Sequence, residues 1–258
     1  MLLADQTALV TGSSRGIGRA IAVAYAREGA RVAIHGRTAD ELEKTRAAID
    51  AVGGRCVPIL ADLGEPGAAD AVFEGARQAL GVLDILVNNA GMGSSASLRP
   101  VVDYDDAFWE RTLYVNLTVP YRLTKLVLPD MLARRYGRII NVSSINGRVP
   151  ALHAAAYVAS KHGLLGLTRV TALEVAQDGV TVNAICPGPV RTAMNNARVA
   201  YDAGRLGKAQ DEYEAGMTPL GRRLDADEIA PLAVFLASRG AAVITGQSYD
   251  IDGGVVMA

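Results

Sequence analysis

Hydrophobic residues recur along the chain with two alternating periods. Segments such as Gly16–Glu28, Ala39–Ala51 and Pro66–Leu80 place apolar residues three and four positions apart, which predicts helices. Short runs rich in β-branched and aliphatic residues predict strands between them. Because these runs are apolar on both faces, they are typical of a parallel sheet covered by helices, and the pattern predicts an α/β fold with a doubly wound sheet. The predicted strands are Thr7–Thr11, Arg31–Gly36, Cys56–Leu60, Ile85–Asn88, Arg138–Ser143, Val180–Ile185 and Ser248–Ile251.

One long polar segment interrupts this alternation. After the strand that ends at Ile185, the chain stays mostly polar until the next apolar helix, predicted at Ala226–Ala237. Long connections in compact domains are often lids or binding loops, although a peripheral surface excursion gives the same pattern. No Pro/Gly/Ser-rich linker or charge block divides the sequence. We therefore expect a single domain over residues 1–258, with a substrate lid at residues 189–223.

The composition excludes several classes of protein. Half of the 258 residues are hydrophobic and the net charge is −1, which excludes a disordered chain and indicates no nucleic-acid or anionic-membrane partner. Two cysteines, Cys56 and Cys186, cannot form a disulfide framework and favour a reducing compartment. The first residues lack the basic region of a signal peptide, and no uncharged apolar run approaches the ~20 residues that cross a bilayer. We expect a cytoplasmic protein.

The first predicted strand runs directly into a glycine-rich turn, TGSSRGIG at residues 11–18, which a helix follows. Glycines allow a tight turn, close approach of the backbone to a ligand, and close packing of the helix. The helix N-terminus offers N–H groups and the positive end of its dipole to a pyrophosphate. Glycine-rich turns also close purely structural loops, but a place between the first strand and a helix is the context that dinucleotide binding requires.

A second group of candidate residues lies in the middle of the chain: Asn116, Ser144, Tyr157 and Lys161. Tyr157 and Lys161 are four positions apart, so they share one face of a helix. A phenol has a pKa of about 10, and a neighbouring ammonium is expected to lower it towards the working range. Ser144 follows a strand at the edge where open α/β sheets bind ligands, so its hydroxyl is placed to hold a carbonyl or carbinol oxygen. Taken singly these residues are common, but their order after the glycine-rich turn indicates an active site.

These motifs resemble the short-chain dehydrogenase/reductase family over nearly the whole chain, and in particular 3-oxoacyl-(acyl-carrier-protein) reductases and polyketide ketoreductases. The matching pieces are TGSSRGIG, Asp62, NNAG at 88–91, Asn116, Ser144, YVASK at 157–161 and CPG at 186–188. The resemblance implies a Rossmann-type fold and the catalytic set Asn116, Ser144, Tyr157 and Lys161. With the glycine-rich turn, it implies a cofactor site formed by Gly12, Ser14, Arg15, Gly16, Ile17, Gly18, Arg37, Asp62, Leu63, Asn89, Ala90, Gly91, Tyr157, Lys161, Pro187, Gly188, Val190 and Thr192.

The implied reaction is hydride transfer between a nicotinamide and a carbonyl or secondary-alcohol carbon. Ser144 would orient the oxygen, Tyr157 would act as acid or base, and Lys161 would lower the pKa of Tyr157 and bind the ribose. Asn116 would anchor a water that links Lys161 to solvent. Pro120 has no N–H and lies four positions after Asn116, so the helix should bend there and free the Asn116 carbonyl for that water; the alternative is a tolerated kink.

No metal site is implied. The three histidines, His35, His153 and His162, have no cysteine or carboxylate cluster at ligand spacing around them. We expect no catalytic role for His35 or His162, whereas His153 is a candidate substrate contact.

The end of the second predicted strand bears on the choice of cofactor. Gly36 stands where NAD-linked relatives usually carry Asp, and Arg37 follows directly. Arg15 in the glycine-rich turn and Arg37 are suited to the 2′-phosphate of NADP. The sequence therefore favours NADP(H), with NAD(H) as the alternative if both arginines are solvated surface charges.

The substrate class and the partners follow mainly from the resemblance. A 3-oxoacyl-type ketone, as a small molecule or an acyl thioester, is the first expectation. The alternatives are an NAD-linked polyol, sugar-acid or secondary-alcohol dehydrogenase, and a dinucleotide-sensing protein without turnover. Docking of an acyl-carrier protein is open, because Arg135 matches one basic docking position but Asp178 occupies the other. A dimer or homotetramer is expected, with the apolar tail YDIDGGVVMA either at the subunit contact or on its own subunit.

Overall fold

Seven parallel strands form one sheet in the computed structural model, which describes residues 1–257. The order across the sheet is β3-β2-β1-β4-β5-β6-β7, so the chain reverses its direction of winding between β1 and β4. This arrangement confirms the predicted doubly wound, Rossmann-type fold. The strands are β1 Thr7–Val10, β2 Arg31–Gly36, β3 Arg55–Leu60, β4 Ile85–Asn88, β5 Gly137–Val142, β6 Val180–Pro187 and β7 Ser248–Ile251.

Helices cover both faces of this sheet. A π-helical turn, Tyr114–Thr118, joins the fourth and fifth of them, and short 3₁₀ turns lie in several loops. The predicted helix at Ala226–Ala237 starts as a 3₁₀ turn, Ala226–Glu228, before it becomes α-helical. The helices are α1 Gly16–Arg27, α2 Ala39–Asp50, α3 Ala68–Leu80, α4 Asp106–Leu113, α5 Val119–Arg134, α6 Ala155–Val175, α7 Ala193–Arg205, α8 Gln210–Ala215 and α9 Ala230–Ala237.

The central strands β1, β4, β5 and β6 are buried on both faces and separate two hydrophobic cores, whereas the edge strands β3 and β7 are only partly buried. In β1, Ala8 and Val10 join the core beneath α1 and α9, whereas Leu9 points into the core beneath α3 and α5. This alternation is the period of two that a strand imposes on its side chains. It explains why the strand segments are continuous apolar runs in the sequence.

The reversal between β1 and β4 opens a crevice at the carboxyl edge of the sheet. The glycine-rich turn leaves β1 there, Asp62 follows β3, and Ser144 follows β5. Ligands of open α/β sheets bind at such a switch point. The candidate residues of both groups thus reach the same edge.

The polar segment at residues 189–223 contains two helices, α7 and α8, that the hydrophobic pattern does not indicate. Helix α7 buries only Val199, Asp202 and Ala203, so its apolar stripe is narrow. Within residues 1–257, no helix has the length and apolar character needed to cross a membrane.

Candidate active site

The glycine-rich turn brings backbone atoms together too closely for side chains. Gly12 has φ +63°, and a Cβ there would lie 2.7 Å from the Cα of Ala90. A Cβ at Gly18 would lie 2.4 Å from the Asn89 Nδ2 and from the Gly12 carbonyl oxygen. Among residues 1–257, no side chain caps the N-terminus of α1. Its first N–H groups are therefore offered to an anionic ligand, which fits the pyrophosphate of a dinucleotide.

His35 is hydrogen-bonded to the glycine-rich turn, a role that the sequence did not predict. Its Nδ1 accepts a hydrogen bond from the Gly12 N–H at 3.1 Å, and its Nε2 therefore donates to the Ala61 carbonyl at 3.2 Å. Burial lowers the pKa of His35 to about 4, so the ring is neutral, as these bonds require. The histidine ties the glycine-rich turn to the ends of β2 and β3.

Two arginines and one aspartate form a charged cluster near the ends of β2 and β3. The Arg37 Nη1 is 3.8 Å from the Asp62 Oδ2, and the Arg111 Nη2 is 3.2 Å from the same oxygen. Arg111 comes from α4 and is a second residue that the sequence analysis did not identify. A Cβ at Gly36 would lie 2.7 Å from the Ser14 Cβ, so an acidic side chain at position 36 needs the turn to move.

Two adjoining cavities occupy the crevice. The cofactor-side cavity, of about 430 Å³, extends from the glycine-rich turn past Arg37 and Asp62 to Tyr157 and Lys161. The substrate-side cavity, of about 460 Å³, lies under α7 and α8 and includes Ser144. Tyr157 and Thr192 line both cavities.

All eighteen predicted cofactor residues line one or other cavity. Three of them, Pro187, Gly188 and Val190, line the substrate-side cavity alone, and the glycines and uncapped helix lie in the other. Asn116 lines neither cavity and is buried behind them. The residues present therefore fit a nicotinamide dinucleotide, which the glycine-rich turn and the uncapped helix N-terminus would hold.

The reacting group combines side chains from β5 and α6. The Lys161 Nζ donates to the Val142 carbonyl at 2.9 Å and lies 5.7 Å from the centre of the Tyr157 ring. Ser144 lies in the loop after β5, just before the 3₁₀ turn Ile145–Gly147, and its hydroxyl accepts the Asn146 N–H at 3.1 Å. Lys161 and Ser144 are both buried. Ser144 and Tyr157 both line the substrate-side cavity.

Burial is the largest influence on the pKa values of Tyr157 and Lys161. Burial raises the pKa of Tyr157 above its ordinary value, and a hydrogen bond with Ser144 opposes that rise only in part. Burial also lowers the pKa of Lys161 to about 8. Desolvation disfavours the charged form of each group, and the lowering of the Tyr157 pKa by Lys161 stays a prediction.

Asn116 lies in the π-helical turn between α4 and α5. Its Oδ1 accepts the Met92 N–H at 2.7 Å, and its Nδ2 donates to the Met92 carbonyl at 2.9 Å and to the Ser160 hydroxyl at 3.1 Å. The side chain thus joins the loop after β4 to α6. The irregular turn agrees with the bend expected near Pro120, and the water on the Asn116 carbonyl stays a prediction.

The remaining histidines have different surroundings. The His153 Nδ1 lies 2.6 Å from the Tyr201 hydroxyl of α7, which joins the segment before α6 to the predicted lid. His162 is exposed and contacts the Val158 carbonyl of its own helix. Within residues 1–257 no group of three or more His, Cys, Asp or Glu side chains is arranged to hold a metal ion.

The comparisons with known proteins agree with this geometry. The short chain dehydrogenase family matches residues 6–202. The chain belongs to the short-chain dehydrogenase family. It is therefore an oxidoreductase, as the motifs predicted.

Relatives of this family member cover its whole length. It is 39% identical to a D-beta-hydroxybutyrate dehydrogenase of Cupriavidus necator over 99% of both chains. It is also 39% identical to the 3-oxoacyl-[acyl-carrier-protein] reductase FabG of Pseudomonas aeruginosa over 100% of both chains. The chain is also similar to a solved structure of an actinorhodin polyketide ketoreductase variant with NADPH. The TM-score is 0.91, the identity is 34%, and 97% of each chain is covered. The expected resemblance to 3-oxoacyl and polyketide ketoreductases is confirmed.

Proposed function

We propose that this short-chain dehydrogenase reduces 3-oxoacyl-type ketones with NADPH. The observation that carries the proposal is the place of Tyr157, between a cavity that fits a dinucleotide and a second cavity that contains Ser144. The relatives support it, because the β-hydroxybutyrate and 3-oxoacyl activities that they are named for both act on carbon 3 of an acyl chain.

The protonation of the site is compatible with the proposed reduction. A carbonyl oxygen gains negative charge as it is reduced and needs a proton donor. Burial keeps Tyr157 as a neutral phenol at neutral pH, so it is ready to donate its proton to that oxygen. The Ser144 hydroxyl is placed to donate a hydrogen bond to the same oxygen. When bound, the nicotinamide cofactor supplies the hydride.

Lys161 and Asn116 support Tyr157 in its proposed role as the general acid. With a pKa of about 8, Lys161 exchanges protons near neutral pH, and we assign it the return of the proton to Tyr157 and contact with the nicotinamide ribose. Asn116 holds the Met92 backbone and Ser160, and so positions α6 beside the loop after β4.

We further assign residues 189–223 the role of substrate lid, since side chains of α7 and α8 line the substrate-side cavity.

The preference for NADP(H) rests on Arg37 and Arg15, which line the cofactor-side cavity. Each arginine–phosphate bond contributes about 1.5–3 kcal/mol, so Arg37→Ala should reduce kcat/KM for NADPH by about 10- to 150-fold and leave NADH nearly unchanged. Steady-state kinetics with both cofactors test this, with Arg46→Ala on α2 as a control. Gly36→Asp is a poor test, because its Cβ would meet Ser14. A wild-type preference for NADH would contradict the assignment.

The paired charges at Arg135 bear on carrier docking. The Arg135 Nη1 lies 3.3 Å from the Asp178 Oδ1, so this exposed cation is neutralised by the acid at the other docking position. We therefore favour small ketones or free thioesters over a carrier-bound substrate. A 3-oxoacyl thioester assayed with and without its carrier protein separates the two cases.

A second candidate function is oxidation of a secondary alcohol with NAD⁺. It is favoured by the similarity to a D-beta-hydroxybutyrate dehydrogenase, whose name describes the oxidation of a secondary alcohol. Faster turnover of 3-hydroxybutyrate with NAD⁺ than of 3-oxo compounds with NADPH would favour this alternative.

A further inference from the structure

The substrate-side cavity is lined by few charged side chains. Among the described residues that line it, only Arg198 and Asp202 carry a charge, and both belong to α7. The rest of the wall is apolar or uncharged, with Ile145, Met194 and Met217 among its larger side chains. The charge state of the cavity therefore depends on how these two residues interact.

Arg198 is fully engaged by Asp202. The guanidinium donates from Nε to the Asp202 Oδ2 at 2.6 Å and from Nη2 to Oδ1 at 3.1 Å. Its Nη1 donates to the Leu152 carbonyl at 2.9 Å. The side chains are 17% and 9% exposed, so the pair is held away from water. This bidentate pair neutralises the charge of Arg198. It also occupies the Nε–Nη2 edge of the guanidinium, which would otherwise be free to bind the carboxylate of a substrate.

Neighbouring groups hold the pair in place. Asp202 also lies 3.8 Å from the Arg205 Nε. Burial, followed by the negative charge of Asp202, raises the pKa of Tyr213. The neighbouring Arg223 also forms an ion pair, with its Nη2 2.8 Å from the Glu214 Oε1. A carboxylate that entered the cavity would lose water without gaining a free cation, and this is unfavourable in a partly buried site.

We propose that the part of the substrate that enters this cavity is uncharged: a ketone, ester or thioester, and not a free 3-oxo acid or sugar acid. This inference rests on the proposed function for its choice of 3-oxo compounds. It goes beyond that function, because it assigns Asp202 the role of a specificity-determining residue that acts through Arg198.

A matched pair of substrates tests the inference directly. Ethyl acetoacetate and acetoacetate share the reacting ketone and differ in the charge at carbon 1. With NADPH, we expect kcat/KM for the ester to exceed that for the acid by about 100-fold or more, since the acid alone must bury an unpaired charge. Values within about threefold of each other, or a preference for acetoacetate, would overturn the proposal.

Asp202→Asn tests the role of the ion pair. The amide keeps the shape of the carboxylate but leaves the Arg198 charge uncompensated, so the KM for acetoacetate should fall by about tenfold or more. Asp50→Asn is the matched control, because it removes an i,i+4 Arg46–Asp50 pair from the exposed α2. The double variant Arg198→Met, Asp202→Asn restores a neutral cavity and should keep the wild-type preference for the ester. An unchanged preference in a folded Asp202→Asn variant would refute this role.

Failure of the inference and failure of the proposed function are distinguishable. If neither 3-oxo compound is turned over, the proposed function is wrong. Calorimetric titration of both compounds into the protein with NADP⁺ then decides the inference, because it requires no turnover. Weaker binding of acetoacetate than of its ester supports the neutral cavity, and equal or tighter binding overturns it.

Discussion

At the residue scale, burial changes the chemistry of the side chains that the motifs identify. Tyr157 and Lys161 resemble an ordinary helical pair in the sequence, yet burial raises the pKa of the phenol and lowers that of the ammonium to about 8. Both shifts favour the neutral forms. A neutral Tyr157 suits the proton donation that we propose for it.

Replacing Tyr157 tests its role as the acid. Tyr157→Phe removes only the hydroxyl, so turnover should fall by at least about 100-fold while the affinity for NADPH stays near the wild-type value. Lys161→Ala should weaken both turnover and cofactor binding, because we assign it to both. Steady-state rates and fluorescence titration with NADPH measure the two effects. A Tyr157→Phe variant with more than about a tenth of wild-type turnover would remove Tyr157 from this role.

His35 should make the stability depend on pH. The unfolded chain binds a proton at His35 below about pH 6.5, whereas the folded chain does so only below about pH 4. The free energy of unfolding should therefore fall as the pH falls through this window, by about 3 kcal/mol in total. His35→Asn keeps an acceptor for the Gly12 N–H and lacks the titration.

Urea denaturation between pH 4 and 7 measures this effect as the difference between the wild type and His35→Asn. His162→Asn, at an exposed histidine, is the control and should follow the wild type. Parallel curves for all three proteins would show that His35 does not titrate in this way.

At the element scale, two helical glycines show what close packing requires. Gly18 in α1 would place a Cβ 2.4 Å from the Gly12 carbonyl, whereas a Cβ at Gly166 in α6 meets nothing within 4 Å. The same residue type therefore has a packing role in one helix and none in the other. The first helix must lie close to the turn so that its N–H groups reach the ligand.

The two corresponding alanine variants should behave oppositely. Gly18→Ala should destabilise the fold by about 1–3 kcal/mol through overpacking and raise the KM for NADPH. Gly166→Ala should stabilise it by about 0.5–1 kcal/mol, because alanine restricts the unfolded chain and favours the helix. Chemical denaturation of both variants measures the difference. Equal effects at the two positions would contradict the packing of α1 described here.

At the scale of the whole molecule, exposed apolar side chains indicate self-association. Val170 and Leu173 lie one turn apart on α6 and are 49% and 80% exposed. Such a face is typical of a subunit contact. The C-terminal tail contributes differently, because Val255 lines the substrate-side cavity of its own subunit.

We expect a dimer or tetramer at micromolar concentration. Leu173→Glu should lower the mass measured by light scattering, because it places a charge in the proposed contact. Val82→Glu, at another exposed valine in the loop after α3, should leave the mass unchanged. A wild-type monomer would refute the assembly.

The sequence alone predicted the strands, the glycine-rich turn and the reacting residues, because each depends on local spacing. Strands β2, β4 and β7 match the prediction at both ends, and the ends of the other four moved by no more than two residues, as β6 shows by extending to Pro187. The helix α7 was missed because its few buried residues give little hydrophobic signal. Motif residues were found because the backbone at such a turn requires glycine, and because one helical face requires a spacing of four.

Only the tertiary structure decided which groups meet and which charges remain. His35 reaches Gly12 from the neighbouring strand, and Arg111 reaches Asp62 from forty-nine positions away. These contacts join segments that are distant in the chain. Burial then sets the pKa values, because the cost of a charge depends on the surrounding dielectric, which no local sequence pattern contains.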